Sequence, residues 1–276
     1  MLLLCYIDGR FVKADEAKLP VTDLIIQRGI GVFEVIATYN NRPLLLTPHL
    51  ERLKASAASA KIKFDLDLIN NLKNIIKDGI IKAGGEVRVK VYLTGGDEFD
   101  EIKGEFINPR IFILFERLEV PSLEQYEHGV VLEPVAFGRK DPTVKSVDYR
   151  SSYMISQPDA YEVLYCPDGE ITETGHSTFF LVVNNKLVTA PLSRVLKGTT
   201  RQAILEIAKR ENIIIEERCP LWSELAEASE AFITGSSKKV VPVVKVGNIK
   251  IGDGKPGALT RRIYDLYIKH IENWLE

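Results

Sequence analysis

The sequence predicts a mixed α/β (α+β) protein of two domains, a small N-terminal α/β domain at 1–117 and a larger C-terminal domain at 129–276. With 276 residues, the chain is longer than one small hydrophobic core requires. Strand-like and helix-like apolar spacings are interspersed in the first part, whereas strand-like spacing dominates the second. A polar, proline-bearing stretch between them predicts an interdomain linker at 118–128.

In the N-terminal part, turn residues define the elements. Asn40-Asn41 between two apolar runs predicts a hairpin. Thr47-Pro48 predicts a helix start, with Thr47 as the N-cap and proline as the first helical residue. Strands are predicted at 2–7, 10–13, 31–39, 42–46, 87–93 and 110–115, a second helix at 67–83, and an acidic loop that could border a pocket at 95–101.

The C-terminal part is predicted to be rich in strands. The turns Pro167-Asp168-Gly169 and Asn184-Asn185 interrupt apolar runs, and a short helix is predicted around Lys145. Strands are predicted at 130–136, within 161–189, at 213–217 and at 231–234, with helices at 199–208 and 258–274.

Composition and charge argue against several functional classes. The net charge of -2, with no basic stripe, argues against nucleic-acid binding. The apolar run at 1–7 is short and lacks a basic flank, and no run approaches membrane-spanning length. Cys5, Cys166 and Cys219 are odd in number and far apart, so neither a disulfide framework nor a metal site is predicted. A cytoplasmic location is expected.

Lys145 is the first candidate for covalent chemistry. It lies between apolar residues and a polar cluster in Thr143-Val144-Lys145-Ser146-Val147-Asp148-Tyr149-Arg150. A lysine amine becomes nucleophilic when burial lowers its pKa, which favours Schiff-base formation with a carbonyl. Burial cannot be read from this segment alone, so a solvated surface lysine is the alternative.

Four further segments carry groups suited to an anionic ligand. Gly198-Thr199-Thr200 opens a helix, where unpaired N–H groups favour a phosphate, although a simple threonine cap is the alternative. Thr234-Gly235-Ser236-Ser237 offers a second turn with hydroxyl groups. Arg52 is either a clamp for a dianion or an ordinary exposed arginine, and Glu173 is either a carboxylate buried against a cation or part of a surface turn.

Together these segments resemble the class IV, fold-type IV pyridoxal-phosphate enzymes, which include branched-chain aminotransferases, D-amino-acid transaminases and aminodeoxychorismate lyase. The resemblance implies a small α/β domain, a larger β-barrel-like C-terminal domain, a homodimer, and pyridoxal 5'-phosphate between the domains. It rests on the order of His49-x-x-Arg52, Lys145 with Asp148 and Tyr149, Thr172-Glu173-x-Gly175, Gly198-Thr199-Thr200-Arg201, and Thr234-Gly235-Ser236.

The resemblance also implies a role for each residue. Lys145 carries the cofactor and moves the proton between it and the substrate α-carbon. Glu173 keeps the pyridine nitrogen protonated. Tyr149 is a candidate partner of the ring hydroxyl, and His49 supports Arg52. The expected phosphate ligands are Arg52, Thr199, Thr200 and either Ser236 or Ser237; Thr178 stands where many members of the family have asparagine.

Substrate choice depends on how the α-carboxylate is held. Known D-amino-acid transaminases resemble this chain in size, but they have a tyrosine where Phe33 stands and an arginine–histidine clamp near Gly95. Branched-chain enzymes share the phenylalanine but are usually longer. Arg28 and Arg88 are candidates for a different clamp. Arg28 precedes the Phe33 strand in a segment that, by the resemblance, borders the neighbouring subunit. Arg88 is either exposed at a strand end or placed to bind an anion, because a charge on the inward face of a strand is costly unless it is paired.

This interpretation predicts transamination of D-amino acids such as D-alanine or D-glutamate, with a 2-oxo acid such as 2-oxoglutarate or pyruvate as the acceptor. A branched-chain L-amino-acid aminotransferase and an aminodeoxychorismate lyase are the alternatives within the family. A catalytically silent binding protein of the same fold is the alternative outside catalysis.

Overall fold

The chain divides into two units, which a computed structural model describes over residues 1–64, 66–150 and 159–276. Unit 1 comprises Met1–Glu119, Val144–Asp148 and Asn273–Glu276, and unit 2 comprises Val120–Thr143 and Tyr149–Glu272. The segment around Lys145 and the last four residues therefore group with the N-terminal part, although both follow the predicted boundary in sequence.

Unit 1 is built on a six-stranded antiparallel sheet. The sheet contains β1 (Leu2–Ile7), β2 (Arg10–Val12), β3 (Gly31–Tyr39), β4 (Arg42–Pro43), β5 (Val87–Thr94) and β8 (Ile111–Arg117) in the order β2-β1-β8-β5-β3-β4. A separate hairpin, β6 (Glu98–Asp100) with β7 (Glu105–Ile107), occupies the predicted acidic loop. The helices are α1 (Leu24–Arg28), α2 (Leu46–Ser59) and α3 (Leu66–Ala83).

Alternation along β5 gives the sheet of unit 1 two different faces. Val87, Val89 and Val91 are fully buried in the core formed with helices α2 and α3. Burying such a side chain stabilises the fold by roughly 1.5–3 kcal/mol. The residues between them, Arg88, Lys90 and Tyr92, point to the opposite face and are partly exposed. That second face carries polar and aromatic groups, among them Tyr92, whose ring stacks on Phe33.

Two predicted turns of unit 1 have different outcomes. The hairpin at Asn40-Asn41 is confirmed, because both asparagines adopt positive φ, 52° and 56°, as a tight hairpin turn requires. The prediction of Thr47 as an N-cap is wrong, since α2 begins at Leu46. Thr47 instead donates its backbone N–H and its hydroxyl to the side-chain carboxylate of Glu276.

Unit 2 contains an eight-stranded mixed sheet with helices outside it. Its main path runs β10-β9-β15-β14-β11-β12-β13, and β16 pairs with β15. The strands are β9 (Val130–Val135), β10 (Glu162–Tyr165), β11 (Thr178–Val183), β12 (Lys186–Thr189), β13 (Ile215–Glu217), β14 (Glu230–Gly235), β15 (Lys239–Val246) and β16 (Ile249–Lys250). The helices are α4 (Leu123–His128), α5 (Thr199–Arg210) and α6 (Ala258–His270).

Three features of the fold differ from the sequence-based expectations. The predicted linker contains α4, which begins with a capping box between Ser122 and Gln125. Strand β15 was not predicted, because Pro242 in its interior argues against a central strand. Lys145 lies in extended chain, not in a short helix, because Ser146 pairs with Val32 at the edge of β3. In the part of the chain that the structure describes, no helix is long and apolar enough to span a membrane.

Candidate active site

Lys145 is held at the edge of β3 by its own backbone. Its carbonyl accepts the N–H of Phe33 at 3.0 Å, and its N–H donates to the Ser56 hydroxyl at 3.1 Å. The side chain is 9% exposed, and Nζ lies 4.8 Å from the centroid of the Phe33 ring. An aromatic face at this distance attracts an ammonium group and keeps water from one side of it. The structure thus confirms that this lysine is buried.

Glu34 joins the two residues of the predicted His49-x-x-Arg52 motif. Its fully buried carboxylate accepts Nε and Nη2 of Arg52, both at 2.7 Å, in a two-pronged ion pair. It also accepts Nδ1–H of His49 at 2.7 Å. His49 therefore supports the same carboxylate as Arg52, and one edge of the Arg52 guanidinium is occupied by Glu34. The phosphate-binding role of Arg52 stays a prediction.

Electrostatics keep this cluster in a defined charge state. Burial raises the pKa of Glu34, but the ion pair with Arg52 and the hydrogen bonds outweigh that effect and lower the pKa to about 2. Burial lowers the pKa of His49, against the attraction of Glu34, so the imidazole stays neutral. The cluster thus contains one carboxylate, one guanidinium and one neutral ring beneath the strand that holds Lys145.

An aromatic stack lies on the other face of β3. The Phe33 ring stacks on Tyr92, with centroids 5.4 Å apart, and Tyr92 stacks on Phe112 at 4.7 Å. Phe33 and Tyr92 are directly opposite each other in the ladder between β3 and β5. The surface beside Lys145 is therefore flat and apolar, which suits packing against a planar ring or an apolar side chain.

Arg88 lies further along the same face and is held within the sheet. Its guanidinium donates to Glu116 at 2.7 Å, and Lys90 donates to the same carboxylate at 2.9 Å. Burial raises the pKa of Glu116, but the bonds from Lys90 and Arg88 outweigh it and lower the pKa. Glu119, 3.8 Å from Arg88, is 69% exposed and screened by solvent. Two cations thus share one well-buried carboxylate.

Arg28 is the last residue of α1, a five-residue helix without buried residues. Its side chain is exposed, and Nη1 donates to the carbonyl of Gln27 at 3.1 Å. Gly29, in the left-handed conformation with φ 65°, ends the helix and turns the chain into β3. The substrate-binding roles of Arg28, Phe33 and Arg88 stay predictions.

In unit 2, Glu173 is buried in the loop between β10 and β11. Its exposure is 4%, and it pairs with Thr178 across the loop in an isolated β-bridge. The carboxylate accepts the backbone N–H of Leu196 at 3.2 Å and lies 3.5 Å from Nη1 of Arg139. A buried carboxylate next to a cation is what the sequence suggested for Glu173. Arg139 was not predicted as its partner.

Tyr149 belongs to the same cluster. Its ring stacks on His176 with centroids 5.3 Å apart, and the Arg139 guanidinium lies 5.5 Å from the centre of the Tyr149 ring. Arg139 therefore contacts both Glu173 and Tyr149, the two residues expected on the ring side of a cofactor. Sequence reasoning missed Arg139 because Gly138-Arg139-Lys140 has no helical or strand spacing that distinguishes it from surface charge.

The N-terminus of α5 and the end of β14 meet at Thr178. Gly198, the N-cap of α5, has no side chain to satisfy the first N–H groups of the helix. A Cβ atom at Gly198 would lie 2.8 Å from the Thr178 hydroxyl. Thr178 in turn pairs with Thr234 in the ladder between β11 and β14. The segments at 198–200 and 234–237, predicted separately as phosphate sites, are thus neighbours.

This pair of segments forms a polar cup. Thr199 and Thr200 occupy the first turn of α5, and Arg201 anchors that turn through bonds to the Ala190 carbonyl and Glu217. The Thr234 hydroxyl is buried and has no hydrogen-bond partner among the described residues. A buried hydroxyl without a partner costs free energy unless a ligand satisfies it. Ser236 and Ser237 follow in the turn after β14 and are half-buried.

Comparison with known families identifies the family of the chain. The family model for amino-transferase class IV matches residues 31–246. The chain is a class IV aminotransferase. Its cofactor is pyridoxal 5'-phosphate, which members of the family use. The family assignment and the cofactor predicted from the sequence are thereby confirmed.

Relatives within the class fall into both predicted substrate groups. The D-alanine aminotransferase of Bacillus licheniformis is 28% identical over 267 residues, which cover 93% of this chain and 93% of the relative. The probable branched-chain-amino-acid aminotransferase of Thermotoga maritima is 29% identical over 288 residues, 99% of both chains. These similarities support transamination but do not choose between the substrates.

Solved structures confirm the predicted fold class. The T.th. branched-chain amino acid aminotransferase with pyridoxamine 5'-phosphate superposes with a TM-score of 0.89 at 22% identity, covering 100% of this chain and 98% of that one. The Escherichia coli branched-chain enzyme superposes with a TM-score of 0.88 at 23% identity, covering 100% and 99%. At these identities the likeness concerns the fold.

The polar cup of this class IV aminotransferase fits the phosphate of the cofactor. A helix N-terminus without a side-chain cap favours an anion, and the buried Thr234 hydroxyl, which has no hydrogen-bond partner among the described residues, supplies a donor. Glu173 supplies a buried carboxylate suited to a protonated ring nitrogen. Lys145 supplies a buried amine.

Proposed function

We propose that Lys145 carries the cofactor and moves the proton during transamination. When bound, pyridoxal 5'-phosphate supplies a conjugated ring that accepts the electron pair left at the substrate α-carbon. The Nζ atom of Lys145 would take the proton from that carbon and pass it to the cofactor. The backbone bonds that Lys145 makes with Phe33 and Ser56 fix the position of its chain and support this role.

The remaining residues bind and orient. Glu173 holds the proton on the pyridine nitrogen, and Arg139, 3.5 Å from the Glu173 carboxylate, orients it. Tyr149 donates to the ring hydroxyl. Thr199, Thr200 and Ser236 or Ser237 hold the phosphate, with Arg52 as a further ligand. The start of α5 supports this set, because Gly198 provides no side-chain cap and a helix N-terminus favours an anion.

D-amino acids are the proposed amino donors, with D-alanine and D-glutamate as the test cases and 2-oxoglutarate or pyruvate as the acceptor. The observation that carries this proposal is the sharing of Glu116 by Arg88 and Lys90. One well-buried carboxylate for two cations leaves positive charge on the face that also carries Tyr92, because the second carboxylate near Arg88, that of Glu119 at 3.8 Å, is 69% exposed. Lys90 is two residues from Tyr92, about 7 Å along the strand. A substrate carboxylate would complete the pairing, with Arg28 as a second cation.

Branched-chain L-amino acids are the second candidate. The stack of Phe33, Tyr92 and Phe112 favours this candidate, because an aliphatic side chain gains from packing on such a surface. The aromatic stack favours a substrate with an apolar side chain, whereas the cation pair of Arg88 and Lys90 favours one with a second carboxylate. A dicarboxylic D-amino acid uses the cations, whereas leucine or valine uses only the rings.

The role of Lys145 is tested directly by the absorption band of the lysine-bound cofactor and its loss on substitution of Lys145. Purified protein is expected to be yellow and to lose that absorption band on borohydride reduction, with the reduced cofactor recovered on the peptide that contains Lys145. The Lys145→Ala variant should show no reducible band, while Lys140→Ala, a change at an exposed lysine nearby, should behave as the wild type. A reducible band that survives Lys145→Ala would refute the assignment.

The donor class is tested with a panel of D- and L-amino acids against 2-oxoglutarate and pyruvate. The proposal expects turnover of D-alanine or D-glutamate and slow turnover of L-leucine and L-valine. Activity on L-leucine without activity on either D-amino acid would replace it with the branched-chain function. Release of pyruvate without any amino acceptor would instead indicate a lyase.

The cation pair is tested with variants that separate binding from stability. Arg88→Met should raise the KM for D-glutamate about tenfold or more, because one charge-assisted bond is lost. Glu116→Gln breaks the same ion pair but keeps Arg88, so it should leave that KM unchanged or lower it. Arg10→Gln, at an exposed arginine of β2, is the matched control. Equal KM values for Arg88→Met and the wild type would exclude Arg88 from the clamp.

The assembly and location are also proposals. We infer a homodimer from the resemblance to the class IV enzymes, and a cytoplasmic location from the three unpaired cysteines, all of which are buried. Sedimentation equilibrium of the purified protein measures the first, and a monomer with full activity would contradict it.

A further inference from the structure

A second buried carboxylate in unit 2, Glu162, lies outside the residues assigned to the cofactor. It is the first residue of β10, and its side chain is 5% exposed. One carboxylate oxygen accepts the Ser177 hydroxyl at 2.9 Å and is paired with the ammonium group of Lys238. The other accepts the Thr174 hydroxyl and the backbone N–H of His176 at 3.1 Å. The two oxygens of Glu162 are therefore both bonded, and together they connect the loop at 174–177 with Lys238.

Both segments carry proposed cofactor ligands. Thr174, His176 and Ser177 directly follow Glu173 in its loop. Lys238 closes the turn that begins at Thr234 and contains Ser236 and Ser237. Lys238 also links the two segments directly, because its ammonium group donates to the Ser177 hydroxyl at 3.0 Å.

Lys238 is itself fixed by its surroundings. Its backbone carbonyl accepts the hydroxyl of Tyr126, at 2.9 Å, and its ammonium group lies 5.5 Å from the centre of the Tyr161 ring. The Lys238 side chain is 18% exposed, so the ion pair with Glu162 is only weakly screened by solvent. A buried ion pair is a poor source of stability compared with apolar packing, but its geometry is specific.

We propose that Glu162 and Lys238 are positioning residues, which hold the Glu173 loop and the turn at 234–238 in one fixed arrangement. This arrangement fixes the spacing between the Glu173 carboxylate, proposed to bind the ring nitrogen, and the groups proposed to bind the phosphate. A ligand that binds at two sites gains affinity when the sites are held at the spacing of its own groups. Breaking the Glu162–Lys238 ion pair should therefore lower the affinity for the cofactor, even though Glu173 and the phosphate-binding residues are all still present.

The inference rests on the proposed roles of Glu173 and the phosphate cup. Its test compares pyridoxal 5'-phosphate with pyridoxal, which has the same ring but no phosphate. The dissociation constant of each of the two ligands is measured by equilibrium dialysis of enzyme loaded with that ligand, for the wild type, Glu162→Gln and Lys238→Met. We expect each variant to bind pyridoxal 5'-phosphate about tenfold more weakly and to lose much less affinity for pyridoxal. The preference for the phosphorylated form therefore falls.

A variant at Glu230 supplies the matched control. Glu230 lies on β14, the strand that carries Thr234, and its carboxylate accepts the N–H groups of Leu259 and Thr260 at the start of α6. Glu230→Gln should lower the melting temperature without changing the ratio of the two dissociation constants. If Glu230→Gln changed this ratio as much as Glu162→Gln does, general loosening would explain the effect and the proposal would fail.

The remaining outcomes are also decisive. An unchanged ratio in Glu162→Gln, with or without a lower melting temperature, overturns the positioning role. If a single variant does not fold because its partner is left as an unpaired buried charge, the double variant Glu162→Gln/Lys238→Met removes that charge, and the same fall in the ratio is expected. Wild-type protein that does not bind the cofactor through Lys145 would instead refute the proposed function.

Discussion

Replacing Glu34 with glutamine should destabilise unit 1 strongly and in a pH-dependent way. The Glu34 carboxylate is fully buried and is bonded to Arg52 and His49. Its pKa falls from an ordinary value of 4.5 to about 2. A difference of this size corresponds to about 3 kcal/mol of unfolding free energy at neutral pH. The variant also leaves Arg52 without its charged partner, a change of comparable cost.

The sign of the pH dependence follows from the direction of the shift. A lowered carboxylate pKa stabilises the fold above the ordinary value of 4.5, and this contribution is lost as the pH falls towards 2. Between pH 7 and pH 3.5, about 1.4 kcal/mol of it should disappear. The lowered pKa of His49 acts in the same direction, with a loss that begins near its ordinary value of 6.5.

Urea unfolding at pH 7 and at lower pH measures the effect. At pH 7, Glu34→Gln should unfold at a much lower urea concentration than the wild type. The difference between the two midpoints should become smaller as the pH falls, because the wild type then loses the contribution of Glu34. Glu86→Gln is the matched control, because exposed Glu86 accepts bonds from neutral groups, the Thr38 hydroxyl and the Asn41 N–H, in the same sheet. Equal stability of Glu34→Gln and the wild type at pH 7 would refute the reasoning, as would a gap independent of pH.

Three further predictions concern other parts of the chain. Thr234→Val should leave the stability of the cofactor-free protein unchanged or higher, because the lost hydroxyl has no partner there, but should weaken cofactor binding in a titration. Asp23→Asn should lower the unfolding free energy by about 2 kcal/mol in urea, since buried Asp23 caps α1 and binds Arg110; an unchanged midpoint would contradict this. The thiol of Cys166, whose pKa burial raises to about 12, should not react with a thiol reagent at pH 8 until the protein unfolds.

Local chemistry explains which elements could be predicted. Asn40-Asn41 and Asn184-Asn185 define their hairpins because asparagine tolerates the positive φ that each turn adopts. Gly198-Thr199-Thr200 defines the start of α5 for a different reason, since Gly198 has a negative φ but packs too closely against the Thr178 hydroxyl for a side chain. Such signals lie within a few residues of the feature that they specify.

Features that depend on distant residues could not be predicted in the same way. The extended conformation around Lys145 results from the bridge between Ser146 and Val32, more than a hundred positions earlier in the chain. Glu276 accepts the Thr47 N–H at the start of α2 across 229 positions in sequence, and Glu116 accepts Arg88 from a neighbouring strand 28 positions away. A local pattern indicates that a charge needs a partner, but only the folded sheet determines which residue provides it.

Glu34 and Glu162 show why the groups around a site are harder to predict than the site itself. Each is a buried carboxylate on a strand, and neither occurs in a recognisable motif with a reacting group. Buried charges stabilise a fold less than apolar side chains of the same volume, so stability alone does not explain them. Their bonds instead determine the orientation of Arg52 and His49 in unit 1, and of the Glu173 loop and Lys238 in unit 2. Substitution of either carboxylate should therefore affect cofactor binding through geometry, and an apolar replacement that restores stability should not restore binding.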